Sequence, residues 1–209
     1  DTFLKEFVFY TEKLYGQGGK EFEDSGDYAR IINKSHFDRL SNALDEALDA
    51  GATLIYGGKR NEEEFYFEPT IIANVPEDCT LMQEEIFGPI LPVKEYNELD
   101  EVIAYINDRP KPLASYLFAQ DESTYNKVLQ ETSAGALVYN DCVIHFTHPN
   151  LPFGGVNASG IGKAHGKHGF DSFSNEKAVI QQRLPMNKLV YPPYTQVTSK
   201  FINYMLKYM

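Results

Sequence analysis

Basic residues are scarce in this chain. Its 209 residues include 19 Lys+Arg against 30 Asp+Glu, a formal net charge of −11 and a pI near 4.9. A protein that grips a phosphate backbone needs a basic face, so nucleic acid is not an expected partner. Cysteine is scarcer still. Cys79 and Cys142 are the whole complement, too few for a disulfide framework. No apolar run approaches the ~20 residues of a membrane span. No signal-peptide pattern opens the chain, which starts at Asp1 in mid-pattern, as a piece of a longer protein would. What remains is 43% hydrophobic and 13% aromatic, enough apolar material for a packed core and too much for intrinsic disorder.

Periodicity supplies the elements. Phe3, Phe7, Tyr10 and Leu14 recur at helical spacing, and the run Gly16-Gln17-Gly18-Gly19 should stop that helix. A second helix is expected from Ser35, its hydroxyl as cap, with Phe37, Leu40, Leu44, Ala47 and Leu48 on one face and Gly51 at its end. Thr53-Leu54-Ile55 is a short strand. Phe65 to Val75 contains Pro69 and reads as an edge or interrupted strand, and Ile90 to Tyr96 is demoted similarly by Pro92. Leu99, Val102, Ile103 and Ile106 mark a third helix, broken at Asp108–Pro112. Ser115 to Ala119 reads as a strand, Asp121 as the cap of a fourth helix, and Ala136 to Tyr139 as a short buried strand. The alternation implies an α/β fold with a largely parallel sheet flanked by helices.

Several motifs invite a function and fail on chemistry. The stretch Gly154 to Lys163 is glycine-rich, yet Ile161 stands where a phosphate loop needs lysine, and the G-x-G-x-x-G spacing is absent. A tight loop with several positive φ angles is expected instead. His145 with His148, and His165 with His168, form two H-x-x-H pairs near Cys142, but glycine and proline put them in loops without an acidic second layer, so no metal is expected. Acidic neighbours at Asp78 and Asp141 disfavour either cysteine as a nucleophile. Glu84-Glu85-Ile86-Phe87-Gly88-Pro89 is more informative: paired carboxylates, an aromatic and a Gly-Pro turn stand just before an apolar strand, where ligands often sit.

These residues resemble a family. Met82 through Pro92 is similar to the E-E-x-F-G-P segment of aldehyde dehydrogenases. Asp27–Asn33 with His36–Leu40 resembles the class 3 branch, which includes fatty aldehyde dehydrogenases. Gly57-Gly58 through Phe67-Glu68-Pro69-Thr70-Ile71, then Leu151-Pro152-Phe153-Gly154-Gly155, then His165-Gly166-Lys167 with Phe170–Ser174, resemble later motifs of that branch in the same order. Absent are the G-Q-x-C segment that carries the family's nucleophile, since Gly16-Gln17 is followed by Gly18-Gly19, and the E-L-G-G segment of its general base. The dinucleotide-binding domain, on the order of 150 residues, is missing too. The resemblance therefore implies the C-terminal portion of such an enzyme, inactive alone.

For the complete enzyme the resemblance implies NAD or NADP as cofactor and an apolar aldehyde as substrate, medium- and long-chain fatty aldehydes included, oxidised through a cysteine thioester. It assigns Glu85 to the nicotinamide ribose hydroxyls, Phe87 to packing beside that ribose, and Thr147 and Phe153 to the substrate tunnel. No residue of this chain is implied as catalytic. Asn157 and Ala158 depart from the family's usual glycine and asparagine in the loop after Phe153. Residues 1–177 correspond to catalytic domain and 178–185, with Val179–Gln182, to a bridging strand for a homodimer. Residues 186–209 correspond to a C-terminal extension whose Phe201, Met205 and Tyr208 suit peripheral membrane contact. An intracellular place, in the cytoplasm or on the cytoplasmic face of a membrane, goes with this. Two rivals from other classes are a stand-alone interaction module and a histidine-based metal binder.

Overall fold

The computed structural model describes residues 2–16, 22–183 and 191–208. The chain divides into two compact units, Asp1–Val102 and Ile103–Met209, a boundary inside a helix that composition does not mark.

The first unit opens with α1, Thr2–Tyr15, which carries the expected spacing. The glycine run that should stop it falls largely outside the described residues, save Gly16. Helix α2, Lys34–Asp49, is the organising element. Its cap is Asn33 rather than the expected Ser35: the Asn33 side chain accepts from the His36 amide at 3.0 Å, satisfying one of the open N–H groups of the first turn. Ala50 closes the helix, and Gly51 turns the chain with φ +99°, a value glycine adopts without strain. Phe37, Leu40, Ala43, Leu44 and Ala47 recur at three- and four-residue spacing and are all buried. They pack on Phe67, Ile72, Leu81 and Ile90. Each of the larger side chains contributes roughly 1.5–3 kcal/mol on full burial.

The sheet under α2 has the order β1-β4-β5. Strand β1 (Thr53–Tyr56) runs antiparallel to β4 (Thr70–Ala73), and β4 runs parallel to β5 (Ile90–Val93). Two short strands, β2 (Arg60–Asn61) and β3 (Tyr66–Phe67), pair beside it where the sequence suggests an acidic loop. Pro69 interrupts the β3–β4 segment, so of the two expectations the interruption holds, and β4 itself is central. Pro92 lies in β5, an outer strand of this sheet, where proline is tolerated. A single turn of helix, α3 (Thr80–Gln83), links β4 to β5.

Helix α4, Leu99–Asn107, crosses the unit boundary. In the second unit β6 (Ala114–Leu117) and β7 (Ala136–Tyr139) pair in parallel. The crossover between them is α5, Glu122–Glu131, capped by Asp121 as expected. Two parallel pairs joined by helical crossovers make the α/β reading correct, with β1 and the β2–β3 pair as its antiparallel additions. Beyond β7 come a 3₁₀ turn (Ile144–Thr147), the glycine loop, α6 (Gly166–Ser172) and α7 (Gln196–Tyr208).

One expected element does not form. Residues 174–183 include no strand, although Val179–Gln182 has the composition of one. A strand exists only by pairing, and no ladder partner is present for this segment among the described residues. Its continuation over 184–190 lies outside the described residues. The tail does form the amphipathic helix that Phe201, Met205 and Tyr208 suggest, and Tyr204, Met205, Leu206 and Tyr208 on it are exposed.

Candidate functional site

In the first unit the Glu84–Pro89 loop is held at both ends and clamped in the middle. At its entry the Glu84 amide donates to the Thr80 carbonyl at 3.0 Å; at its exit the Thr70 amide donates to the Pro89 carbonyl at 2.8 Å. Ile86 packs against the α2 core. Gly88 abuts Leu40: a Cβ there would stand 2.6 Å from both Leu40 methyls, which are fully buried and have nowhere to go. Phe87 pays a backbone cost, with φ +46°, rare for an aromatic residue. The result is that alternate side chains part company. Ile86 goes down into the core, while Glu85 and Phe87 stay in solvent, Phe87 with 82% of its surface exposed.

The Glu85 carboxylate makes no hydrogen bond or ion pair among the described residues, so its acceptor capacity is free. A carboxylate with a neighbouring aromatic suits a vicinal diol on a sugar, one oxygen for each hydroxyl and the ring face for the apolar side. The residues present therefore fit the ribose of a nicotinamide dinucleotide. The open hollows of this unit, of about 840, 970 and 630 Å³, lie along α2, beside β2–β3, and between Leu4 of α1 and the ends of β4 and β5; Glu85 and Phe87 line none of these three. The pair is presented outward, on a loop tip, rather than inside a cleft of its own unit.

In the second unit Thr147 and Phe153 follow the carboxyl end of β7, the side of a parallel sheet where ligands bind. Thr147 closes the 3₁₀ turn, its hydroxyl donating to the Ile144 carbonyl at 2.8 Å, and the residue is exposed. Phe153 is half-buried in a stack of rings. His165 lies against it with centroids 5.3 Å apart and planes 15° apart, and His145 stands 5.8 Å away with Tyr116 beyond it. Both ring nitrogens of His145 and Nδ1 of His165 are buried without a hydrogen-bond partner. Of the four histidines that suggest a metal set in the sequence, His145 and His165 are ring partners of Phe153, while His148 accepts from the Asn150 amide at 3.3 Å. No group of three or more ligating side chains occurs among the described residues. A metal site needs ligands converging on a point, whereas these rings lie side by side.

The loop after Phe153 is built for shape. Phe153 and Ala164 exchange backbone hydrogen bonds of 3.2 and 2.7 Å and pinch it shut. Lys163, at the end of the glycine-rich stretch, turns its ammonium inward onto the carbonyls of Gly154 and Gly155. A Cβ on Gly155 would fall 2.1 Å from the Ser159 carbonyl oxygen, so close backbone approach explains that glycine. Asn157 adopts φ +54°, a left-handed conformation asparagine tolerates, which explains how the loop survives its departure from glycine.

Three positions carry roles the sequence leaves unassigned. Arg39 donates to the loop carbonyls of Ile86 at 2.6 Å and Glu85 at 3.4 Å. His145 and His165 fix the Phe153 ring. Arg39 stands within a motif that matches the class 3 branch, but nothing local tells which backbone a helix-borne guanidinium will reach some 46 residues later. Neither cysteine joins a site. Cys79 is buried, and burial, followed by Glu46 and Asp78, pushes its thiol up; Cys142 is exposed, its amide donating to the Asp141 carboxylate at 2.7 Å.

Comparison with known proteins shows the family. The aldehyde dehydrogenase family matches residues 1–179. The 4,4'-diaponeurosporen-aldehyde dehydrogenase of Staphylococcus aureus is 46% identical over 177 residues, 84% of this chain and 38% of the relative. Aldehyde dehydrogenase family 3 member A2 of Rattus norvegicus is 41% identical over 209 residues, 99% of this chain and 42% of that protein. Among solved structures, the substrate-bound state of Staphylococcus aureus AldH superposes with a TM-score of 0.81 at 38% identity, covering 97% of this chain and 43% of the other. Betaine aldehyde dehydrogenase from Staphylococcus aureus in complex with NAD+ superposes with a TM-score of 0.71 at 29% identity, covering 83% and 35%. The chain spans about two fifths of the length of the curated relatives it matches. With the family match over most of its length and family 3 members among its relatives, the chain belongs to the aldehyde dehydrogenase family.

Proposed function

We propose that this chain is the C-terminal part of an NAD(P)-dependent aldehyde dehydrogenase that oxidises apolar aldehydes, fatty aldehydes of medium or long chain among them, to carboxylates. The observation that carries the reading is the Glu85–Phe87 pair: a carboxylate with free acceptor capacity and an 82%-exposed aromatic, two residues apart on a loop anchored to the core through Ile86 and Gly88. The nucleophilic cysteine, the general-base glutamate and the dinucleotide-binding domain belong to the rest of the protein in this reading. The dinucleotide, when bound, supplies the hydride acceptor. Glu85 accepts from the two ribose hydroxyls, and Phe87 packs beside the sugar and limits how the ring beyond it can turn. Thr147 and Phe153 line the approach of the aldehyde. Phe153 suits an apolar chain because its ring is pinned by His145 and His165, so a substrate meets a fixed wall and little entropy is lost in ordering it.

The same reading gives the remaining surfaces their partners. Val179 and Ile180 are 79% and 94% exposed, and the segment around them is taken to pair with a second copy, forming the strand that one chain alone lacks. Helix α7, with exposed Tyr204, Met205 and Leu206 beside Lys200 and Lys207, is taken to rest on a membrane surface in an intracellular protein.

The test is Glu85→Gln in the complete protein. Glutamine offers one acceptor and no charge, so the KM for NAD+ should rise about tenfold, with kcat reduced. An unchanged KM and kcat would remove the role assigned to Glu85.

A further inference from the structure

We infer that Arg39 is a positioning residue for the cofactor, acting through the backbone of the Glu85–Phe87 loop; this rests on the ribose-binding reading of Glu85. The geometry is specific. Among the described residues, the main chain of Glu85, Ile86 and Phe87 makes no hydrogen bond except those from Arg39, whose Nη2 donates to the Ile86 carbonyl at 2.6 Å and whose Nη1 donates to the Glu85 carbonyl at 3.4 Å. Three consecutive residues, one of them at φ +46°, thus depend on a single side chain for their polar anchoring. No ion pair is recorded for Arg39 among the described residues, so these two carbonyls are where its charge-assisted bonds go. It stands one position before Leu40 in α2, and Leu40 is the residue that Gly88 abuts. One helical turn therefore grips the loop twice: Leu40 fixes the Gly88 backbone by contact, and Arg39 sets the Glu85 and Ile86 carbonyls by hydrogen bonds.

The chemistry explains why arginine is required. A guanidinium is a rigid fork that can bridge two carbonyl oxygens on successive peptides, and its bonds are charge-assisted. Turning those carbonyls toward α2 turns the Glu85 and Phe87 side chains the other way, into the solvent where a ribose would lie. Without the fork, Ile86 and Gly88 still hold the loop to the core, but the peptide planes between them can rotate, and with them the direction of the carboxylate. Lysine keeps the charge but lacks the planar fork, so it fixes the two carbonyls less firmly relative to one another. The fork acts on the cofactor loop, so the aldehyde KM should stay near its original value.

The experiment compares Arg39→Ala, Arg39→Lys, Glu85→Gln and the Arg39→Ala/Glu85→Gln pair in the complete enzyme. Arg60→Ala serves as the control, because Arg60 also ties α2, through the Asp45 carboxylate at 2.8 Å, but away from the loop. Arg39→Ala should raise the KM for NAD+ about tenfold while the aldehyde KM stays within about twofold; Arg39→Lys should recover part of the loss, and the double variant should be no worse than Glu85→Gln alone. An Arg39→Ala enzyme with the NAD+ KM of Arg60→Ala, or effects of Arg39→Ala and Glu85→Gln that multiply, overturns the inference. If Arg39→Ala does not fold, Arg39→Lys carries the test, with a smaller rise expected and an unchanged NAD+ KM as the overturning result. If Glu85→Gln is silent, the ribose reading fails by itself, and chymotryptic cleavage after Phe87 then decides the positioning: faster cleavage in Arg39→Ala than in Arg60→Ala supports it, and equal rates overturn it.

Discussion

Cys79 and Cys142 meet opposite surroundings. Cys79 sits in the core between α2 and the sheet, 3% exposed, and burial first, then the nearby Glu46 and Asp78 carboxylates, raise its pKa. A raised pKa means less thiolate at any pH below it, and the thiolate is the reactive form. Cys142 lies exposed on the loop after β7. A thiol reagent at neutral pH should therefore label one cysteine quickly in the folded chain and the second only after unfolding; two fast equivalents would contradict the buried placement of Cys79. This part of the sequence was legible, because the acidic neighbour of Cys79 is local. Glu85 and Phe87 were singled out through the family resemblance, since adjacent acids before a Gly-Pro turn are by themselves as readily solvated surface charge. Arg39 was not legible, because its partners are carbonyl oxygens, which every residue owns and no sequence motif marks.

Helix ends show the same division. Asp121 caps α5 by accepting from the Thr124 amide at 2.8 Å, and bonds from the Ser123 hydroxyl, then Thr124, hold its carboxyl below the usual range. A depressed folded-state pKa contributes stability that is fully present above the unfolded value and is lost as pH falls through the folded one. The amide resonance of Thr124 should accordingly titrate below about pH 4, with α5 loosening in the same window. Asp121→Asn keeps a capping oxygen and should abolish that titration; a Thr124 resonance that moves identically in both proteins would refute the cap's part in it. Asp121 was readable as a cap because it stands directly before the helical pattern. Ser35 misled because Asn33, two residues earlier, is as good a cap, and the choice depends on where the chain enters α2 from the Arg30–Ile32 segment, whose course is set by pairing of the Ile31 amide with the Phe65 carbonyl at 3.0 Å. The strand expected at Val179–Gln182 has no such local remedy. Composition can favour extension, but a ladder needs a second strand.

Over the whole molecule, the four assigned residues are divided between the units, Glu85 and Phe87 in one and Thr147 and Phe153 in the other. Glu85, Phe87 and Thr147 are exposed and Phe153 is half-buried in its ring stack, and the second unit also leaves large apolar side chains in solvent. Phe118, Ile161 and Phe173 are 66%, 101% and 96% exposed, more than an ordinary surface shows singly. None of the four assigned residues is a thiol. Oxidation of an aldehyde to an acid needs a nucleophile to form the adduct and a base to bring water to the thioester. Cys79 is inaccessible and poorly ionised. Cys142 is accessible, but its thiol makes no hydrogen bond among the described residues, so no base stands ready to take its proton, and its amide donates to the Asp141 carboxylate. Residues 1–209 by themselves should therefore form no NADH from NAD+ and an apolar aldehyde such as hexanal, at any concentration that keeps them folded. The complete protein should do so. The decisive control is Cys142→Ser: turnover by the 209-residue chain that this substitution abolishes would put the nucleophile inside the chain and overturn the division of labour proposed for it.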